Sequence, residues 1–527
     1  MGIRPDKEKR RVFAVCVDGG TFDLIRPWAR EGYLPCFQRL MEKGAWGELL
    51  SEIPPITVNN LVAMVTGRNA GKHGTLHWLK REAHTGDWRL VDSSVLGSQT
   101  LWDILGNSGK KVAVLNLPLT YPPKEINGIM LTGLLTPSSA RNITYPSGLR
   151  EEIENHIGGR YPILPREVFA VGKEEDYLSS LMESLDVRYR TSRYLMDRYP
   201  WDFFFIHFIE TDFVQHFFWS YMDQDHPRHD PKKSEKFGKA VLQIYQKVDS
   251  ILGGYLDSLD KRDYLMVVSD HGAGPLYQKF YTNNWLMKEG LLKLKRDWIT
   301  AVKHFLFRKG LTLQNIHQVA VGMGLSNLQP RVNRSPLFES LLRKLFLSYH
   351  DVDWDRTKAF AMGGFGQIYI NRQLERDKSL GAVIREEEYE ETRAAVISKL
   401  EALEIPGLRK RYSRKIYRKE DLYLGPYFEE LPDIVVMPEE GYLDPGDFEW
   451  FSNAVFEPRT PVSGTHKPNG IFLLMGEGVR QGIELKNPRI YDIAPSVLYL
   501  MDIPIPGGMD GKVLTDAFNT LGHHPGP

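Results

Sequence analysis

An aspartate and a histidine four residues apart, Asp212-Phe-Val-Gln-His216, lie on one helical face and can grip a single ion. The same pair also reads as a helix cap followed by a core histidine. Ser269-Asp270-His271-Gly272 follows an apolar run. A tight turn, which Gly272 permits, lets Asp270 and His271 reach one shared centre, although an ordinary strand-to-loop turn has this composition too. Gly464-Thr465-His466 stands before the last apolar strand, and Asp18 follows the first. Taken singly, neither His466 nor Asp18 is more than a surface or core polar residue. Thr57 lies in Pro54-Pro55-Ile56-Thr57-Val58-Asn59-Asn60, at or just before the start of a helix that ends at Val65-Thr66-Gly67. Free backbone N–H groups and the helix dipole favour an anion such as phosphate there. The competing role for Thr57 is a plain N-cap.

Together these residues say more than any one of them. Asp18, Asp212, Asp270, His216, His271 and His466 form a mixed oxygen and nitrogen donor set, suited to Zn²⁺ and also to Mn²⁺. Six such donors suffice for two ions at three each, with room for a substrate oxygen and a nucleophile.

The elements that must position them are legible as apolar runs. Val12–Val17 is a continuous apolar run closed by Asp18-Gly19-Gly20, the pattern of a buried parallel strand and its turn. Further strands are expected at 46–50, 111–116, 203–209, 265–269 and 471–475. Helices are expected from Pro35 to Gly44, over 59–66, over 176–198 and, unbroken, over 234–259. Strands alternating with helices imply an α/β fold with a mostly parallel sheet covered on both faces. Ligands bind beyond the carboxyl ends of strands in such sheets, where Asp18, Glu210-Thr211-Asp212 and Asp270-His271 fall. Residues 277–430 break this rhythm. They are rich in Lys and Arg and hold the Gly-rich stretch Met362-Gly363-Gly364-Phe365-Gly366. We read them as an insertion or cap between a first core part (1–276) and a second (431–515), with a tail at 516–527 whose end, Gly522–Pro527, is expected to be disordered.

Lys+Arg and Asp+Glu are both 67, so the formal net charge is zero. That gives no support to broad nucleic-acid or anionic-membrane binding, and leaves room only for a local basic pocket. Cys16 and Cys36, the two cysteines, cannot build a disulfide framework. The charged stretch Met1–Arg11 lacks the apolar core of a signal peptide, Asp6 spoils a myristoylation signal at Gly2, and no uncharged run is long enough to span a bilayer. A cytoplasmic protein is expected.

In order and approximate spacing, Val17-Asp18-Gly19, Thr57-Val-Asn-Asn60 with Val65-Thr66-Gly67, Asp212-xxx-His216, Ser269-Asp270-His271-Gly272 and Gly464-Thr465-His466 resemble the alkaline phosphatase superfamily, in particular its type I phosphodiesterase/nucleotide pyrophosphatase branch. Arg68–Gly74, Tyr491-Asp492-Ile-Ala-Pro495 and Asp510-Gly511 extend the likeness over roughly 12–275 and 430–515. The resemblance implies two metal sites: Asp212, His216 and His466 at one; Asp18, Asp270 and His271 at the other, with the Thr57 hydroxyl. It implies that Thr57 attacks phosphorus to give a phosphothreonine, and that Asn60 helps hold a phosphoryl oxygen. The expected substrates are small phosphodiesters or nucleotide pyrophosphates. Asn59 replaces a usual Pro and Leu61 a common His, which bears on substrate preference. A phosphomutase of the superfamily would use Ser where Thr57 stands. A sulfatase would need a Pro that Cys36-Phe-Gln-Arg39 lacks, and headgroup phosphotransferases usually carry membrane spans. A phosphate monoesterase, and a metal-stabilised binding protein without activity, remain as alternatives.

Overall fold

All six residues of the run Val12–Val17 are buried in the computed structural model, and their side chains alternate between two cores. Phe13, Val15 and Val17 point into one, Val12, Ala14 and Cys16 into the other. A strand apolar on both faces has to lie inside a sheet with layers on either side. The structure describes residues 10–81, 88–96, 99–322, 344–372, 383–443 and 450–519. The tail Gly522–Pro527 and nearly all of Met1–Arg11 lie outside the described residues.

The strands that organise the molecule are β1 (Val12–Val17), β2 (Ala45–Leu50), β3 (Val112–Leu115), β4 (Gly128–Leu131), β5 (Thr144–Tyr145), β6 (Phe203–Phe208), β7 (Tyr264–Val268), β8 (Gly272–Phe280), β9 (Ala359–Ala361), β10 (Gln367–Ile370), β11 (Ser413–Arg418), β12 (Ile434–Pro438), β13 (Gly464–Lys467), β14 (Asn469–Met475) and β15 (Ile483–Glu484). Nine of them form the central sheet, in the order β15-β2-β14-β7-β1-β6-β3-β4-β5. From β4 through β3, β6 and β1 to β7 the strands run parallel, so their carboxyl ends share one edge. The neighbouring β14 is antiparallel to β7.

Helices cover both faces. The ones that matter below are α1 (Pro35–Lys43), α2 (Thr57–Thr66), α3 (Glu174–Arg198), α4 (Glu210–Met222), α5 (Pro231–Phe237), α6 (Ala240–Leu256), α7 (Trp298–Arg308) and α8 (Leu313–Gly322). The single helix expected over 234–259 is two, α5 and α6, with the break at Gly238 and Lys239. A side chain at Gly238 would meet the Ser234 carbonyl at 2.6 Å, and Gly238 N–H already bonds that carbonyl, so the chain turns there while periodicity continues across the turn. The other expected elements stand with shifts of a residue or two at their ends.

The insertion carries its own sheet, β9-β10-β12-β11, and its own core around Phe280, Ile368 and Ile434. Strand β12, which follows residue 430, lies inside that sheet between β10 and β11. β8 leaves the central sheet edge and pairs antiparallel with β13, a pairing no local pattern announces.

Candidate metal centre and nucleophile

Each candidate residue sits where a strand or helix ends. Asp18 follows β1. Asp212 lies in the first turn of α4, directly after β6, and His216 lies one turn on. Asp270 and His271 fill the turn between β7 and β8. His466 sits on β13 opposite Ala273 of β8, which brings it beside His271 although 195 residues separate them in the chain (466 − 271). The two imidazoles stack at 3.7 Å between centroids.

Two donor clusters result, Asp212/His216/His466 and Asp18/Asp270/His271. In the first, His216 Nε2 is 3.2 Å from Asp212 Oδ2, and His466 Nε2 is 3.5 Å from Asp212 Oδ1. In the second, His271 Nε2 is 3.2 Å from Asp270 Oδ2 and 3.4 Å from Asp18 Oδ1. A tetrahedral ion with ligands at about 2.0–2.1 Å separates its ligand atoms by about 3.3 Å, so both clusters have the right spacing for one.

The histidine tautomers follow from the outer contacts. Nδ1 of His216 faces the Gly464 carbonyl at 2.8 Å, Nδ1 of His466 the Pro55 carbonyl at 2.8 Å, and Nδ1 of His271 the Gly272 carbonyl at 2.9 Å. A carbonyl only accepts, so each Nδ1 carries a proton and each Nε2 is the nitrogen turned toward the carboxylates. His216 Nε2 and His466 Nε2 meet at 3.2 Å, so a positive charge between them, a metal ion or a shared proton, is required. Asp18 Oδ1 and Asp270 Oδ2 are buried without a hydrogen-bond partner. Enclosed carboxylate oxygens in this state call for positive charge. The donor set therefore fits divalent ions.

The electrostatics agree. Burial, then the Asp270 and Asp212 charges, push the Asp18 carboxyl well above the usual carboxylate range. Burial opposes ionisation of Asp212 as well, yet the charge and hydrogen bond of His216 outweigh it and hold that carboxyl low. Burial and the neighbouring His271 keep His466 neutral.

Thr57 is the first residue of α2. Ile56 occupies the N-cap position and makes no side-chain cap, so the hydroxyl is not spent on capping. Thr57 Oγ1 lies 3.1 Å from His271 Nε2. Helix geometry leaves the N–H groups of residues 57–59 without intrahelical acceptors, since the first such bond runs from Asn60 N–H to the Ile56 carbonyl. These groups form a ready anion cradle beside Thr57.

Asn60 is a correction. Its side chain is fully buried: Oδ1 accepts from Glu52 N–H at 2.7 Å and Nδ2 donates to the Ile56 carbonyl at 3.0 Å. Its donors and acceptor are thus turned into the protein rather than toward Thr57.

Several supporting residues escape sequence reasoning. His207 Nε2 lies 2.9 Å from Asp18 Oδ2, and burial together with Arg188 holds this imidazole down to about 3, hence neutral. Its one signal is a polar residue inside the apolar run Phe203–Phe208. Gln215 donates to the Gly19 carbonyl at 3.0 Å and accepts from the Tyr245 hydroxyl at 3.1 Å, tying α4 to the turn after β1. Phe365, from the Gly-rich stretch of the insertion, stands 5.2 Å from the His466 ring. Cys16 and Cys36 are free and buried.

A mostly parallel sheet with carboxylates and imidazoles gathered past its carboxyl edge is an alkaline phosphatase-like fold. The chain belongs to the type I phosphodiesterase / nucleotide pyrophosphatase family, whose sequence model matches residues 12–335, and it is a hydrolase of phosphoric ester bonds. Among curated proteins none matches it. Similar solved structures include an inactive threonine-to-alanine variant of murine ectonucleotide pyrophosphatase / phosphodiesterase 5 with AMP (14% identity, 97% of this chain and 100% of that one, TM-score 0.52). Phosphonoacetate hydrolase from Sinorhizobium meliloti 1021 with phosphonoformate is another (14%, 94% and 95%, 0.52). A third is the wild-type alkaline phosphatase PafA (14%, 98% and 100%, 0.53). Among the described residues, no helix is long and apolar enough to cross a membrane.

Proposed function

We propose that the protein is a two-metal phosphodiesterase or nucleotide pyrophosphatase in which Thr57 is the nucleophile. The observation that carries this reading is the Thr57 hydroxyl, free of capping duty and 3.1 Å from His271 Nε2 at the junction of the two donor clusters. Asp212, His216 and His466 would hold one ion; Asp18, Asp270 and His271 would hold the other, with Thr57 Oγ1. The donor set favours Zn²⁺, with Mn²⁺ second. When bound, the ions lower the pKa of a coordinated hydroxyl and offset the charge of the ester.

The residues of the chain do the rest. His271, held by the Gly272 carbonyl, keeps its ring beside Thr57 and so fixes where the hydroxyl sits against the cluster. The N–H groups at the start of α2 hold a phosphoryl oxygen. Thr57 gives up its hydroxyl proton to solvent, and its Oγ1 bonds to phosphorus as the bond to the leaving alcohol or phosphate breaks and that group takes up a proton, giving a phosphothreonine. Water then attacks phosphorus and frees the Thr57 oxygen, which recovers a proton. Phe365 stands beside His466, and through it residues of the insertion would select leaving groups. The AMP held by the murine protein makes nucleotides the first substrates to try.

The test pairs metal analysis with turnover of bis-p-nitrophenyl phosphate, p-nitrophenyl phosphate and nucleotides. Thr57→Ala should lower kcat by about 10⁴-fold or more, with metal content unchanged. Retained turnover would remove Thr57 from the mechanism, and a monoester preference would replace the diesterase reading with a phosphatase.

A further inference from the structure

The helix α7 is built inside out. At about 3.6 residues per turn, Trp298, Val302 and Phe305 share one face, with Ile299 at its border. That face is turned to solvent: Trp298 is 75% exposed, Phe305 60% and Val302 49%. The opposite face carries the polar anchors. Lys303 Nζ is 2.9 Å from Asp351 Oδ1 and Thr300 Oγ1 is 2.9 Å from Asp297 Oδ2, while Phe307 enters the core of the insertion. An ordinary surface helix does the reverse, hiding the apolar stripe and exposing the polar one. The next helix, α8, adds Val319, which is 57% exposed. Clustered apolar side chains of this size on a soluble surface mark a contact site.

Charge indicates the occupant. Along the flank of α7 defined by Ala301, His304 and Arg308 lies a cavity of about 660 Å³ that Lys288, Lys293 and Lys295 also line. No carboxylate lines it. Among the described residues Lys293, Lys295 and Arg308 have no ion-pair partner, whereas other cations of the insertion, such as Lys303, Arg393 and Lys399, are paired. The chain as a whole is neutral, so this is a local concentration of positive charge rather than a general one. An apolar ridge with an exposed tryptophan, flanked by unpaired cations, matches the interface of an anionic bilayer, where Trp and Phe enter the acyl boundary and Lys and Arg meet phosphate headgroups.

We infer that α7 and the adjoining basic cavity form a docking surface for anionic phospholipid bilayers, with Trp298, Val302 and Phe305 inserted and a phosphate-bearing headgroup received among Lys293, Lys295 and Arg308. The full chain should co-sediment with vesicles of phosphatidylcholine containing a minor fraction of phosphatidylglycerol at least about tenfold better than with phosphatidylcholine alone, and lose this preference in high salt. The double variants W298S/F305S and K293E/K295E should each weaken binding about tenfold or more, while turnover of a soluble ester stays unchanged and reports an intact fold. Binding to neither vesicle would overturn the inference, as would equal binding by wild type and both variants. A concentration-dependent dimer that W298S/F305S dissolves would overturn it too, and would give the face to a second copy of the chain.

Discussion

At Thr57 and Asn60, three residues apart on α2, the same local sequence serves two different ends. Thr57 stands one position inside the helix, so Ile56 takes the cap position and the hydroxyl is left to face His271. Asn60, one turn further in, is consumed by Glu52 N–H and the Ile56 carbonyl. The two substitutions should therefore separate. Asn60→Ala leaves buried backbone groups without partners and should cost about 1–3 kcal/mol of stability, read by denaturant unfolding. Its kcat/KM per folded molecule should stay within about tenfold of wild type, against the complete loss expected of Thr57→Ala. A hundredfold loss in a fully folded Asn60→Ala would return that residue to the reaction centre. Position 60 could be matched to a family role from the sequence, but whether an amide faces the pocket or the protein depends on the loop from Glu52 to Ile56, which no helical pattern describes.

Among elements, the approach of β13 to α4 is decisive, because it carries His466 to Asp212 and His216. That approach is close enough to exclude a side chain at Gly464, where a Cβ would stand 2.3 Å from the Gln215 carbonyl. Gly464 also supplies the carbonyl that orients His216. Gly464→Ala should push β13 away and release His216, weakening metal binding by about 10–100-fold at one of the two sites while the other keeps its ion. Stoichiometric titration with Zn²⁺, followed by calorimetry, distinguishes this from a uniform loss, which would mean general unfolding instead. The strands β1, β6 and β7 were plain as apolar runs because each is buried on both faces. The break between α5 and α6 was not, since the apolar period carries on through Gly238.

Over the whole molecule, two cores flank one sheet and the site lies at the edge where its parallel strands end, beside the insertion. Three aspartates, Asp18, Asp212 and Asp270, are buried there within one small volume. Their mutual repulsion makes the apo protein the less stable form, so removal of the ions should destabilise the whole fold. With free ion at 100–1,000 times its Kd, each site contributes about 3–4 kcal/mol. Thermal melts with and without chelator should show a lower Tm in the chelated sample, restored by Zn²⁺, and Thr57→Ala should show the same shift. A Tm indifferent to chelation would mean that the clusters do not hold ions tightly.

What the sequence determined by itself was the class of fold and which polar residues fall just past its strand ends. Alternating apolar runs and helical periods imposed a parallel sheet, and polar residues just past those runs had to gather at its carboxyl edge. Only the tertiary structure decided how they meet: the pairing of β8 with β13 that stacks His466 on His271, the tautomer of each imidazole, the inward turn of Asn60 and the entry of Phe365 from the insertion. Local patterns record which face of an element is buried, because burial is a property of each residue. They do not record which distant element supplies the neighbour, because that choice is made by packing across the whole chain.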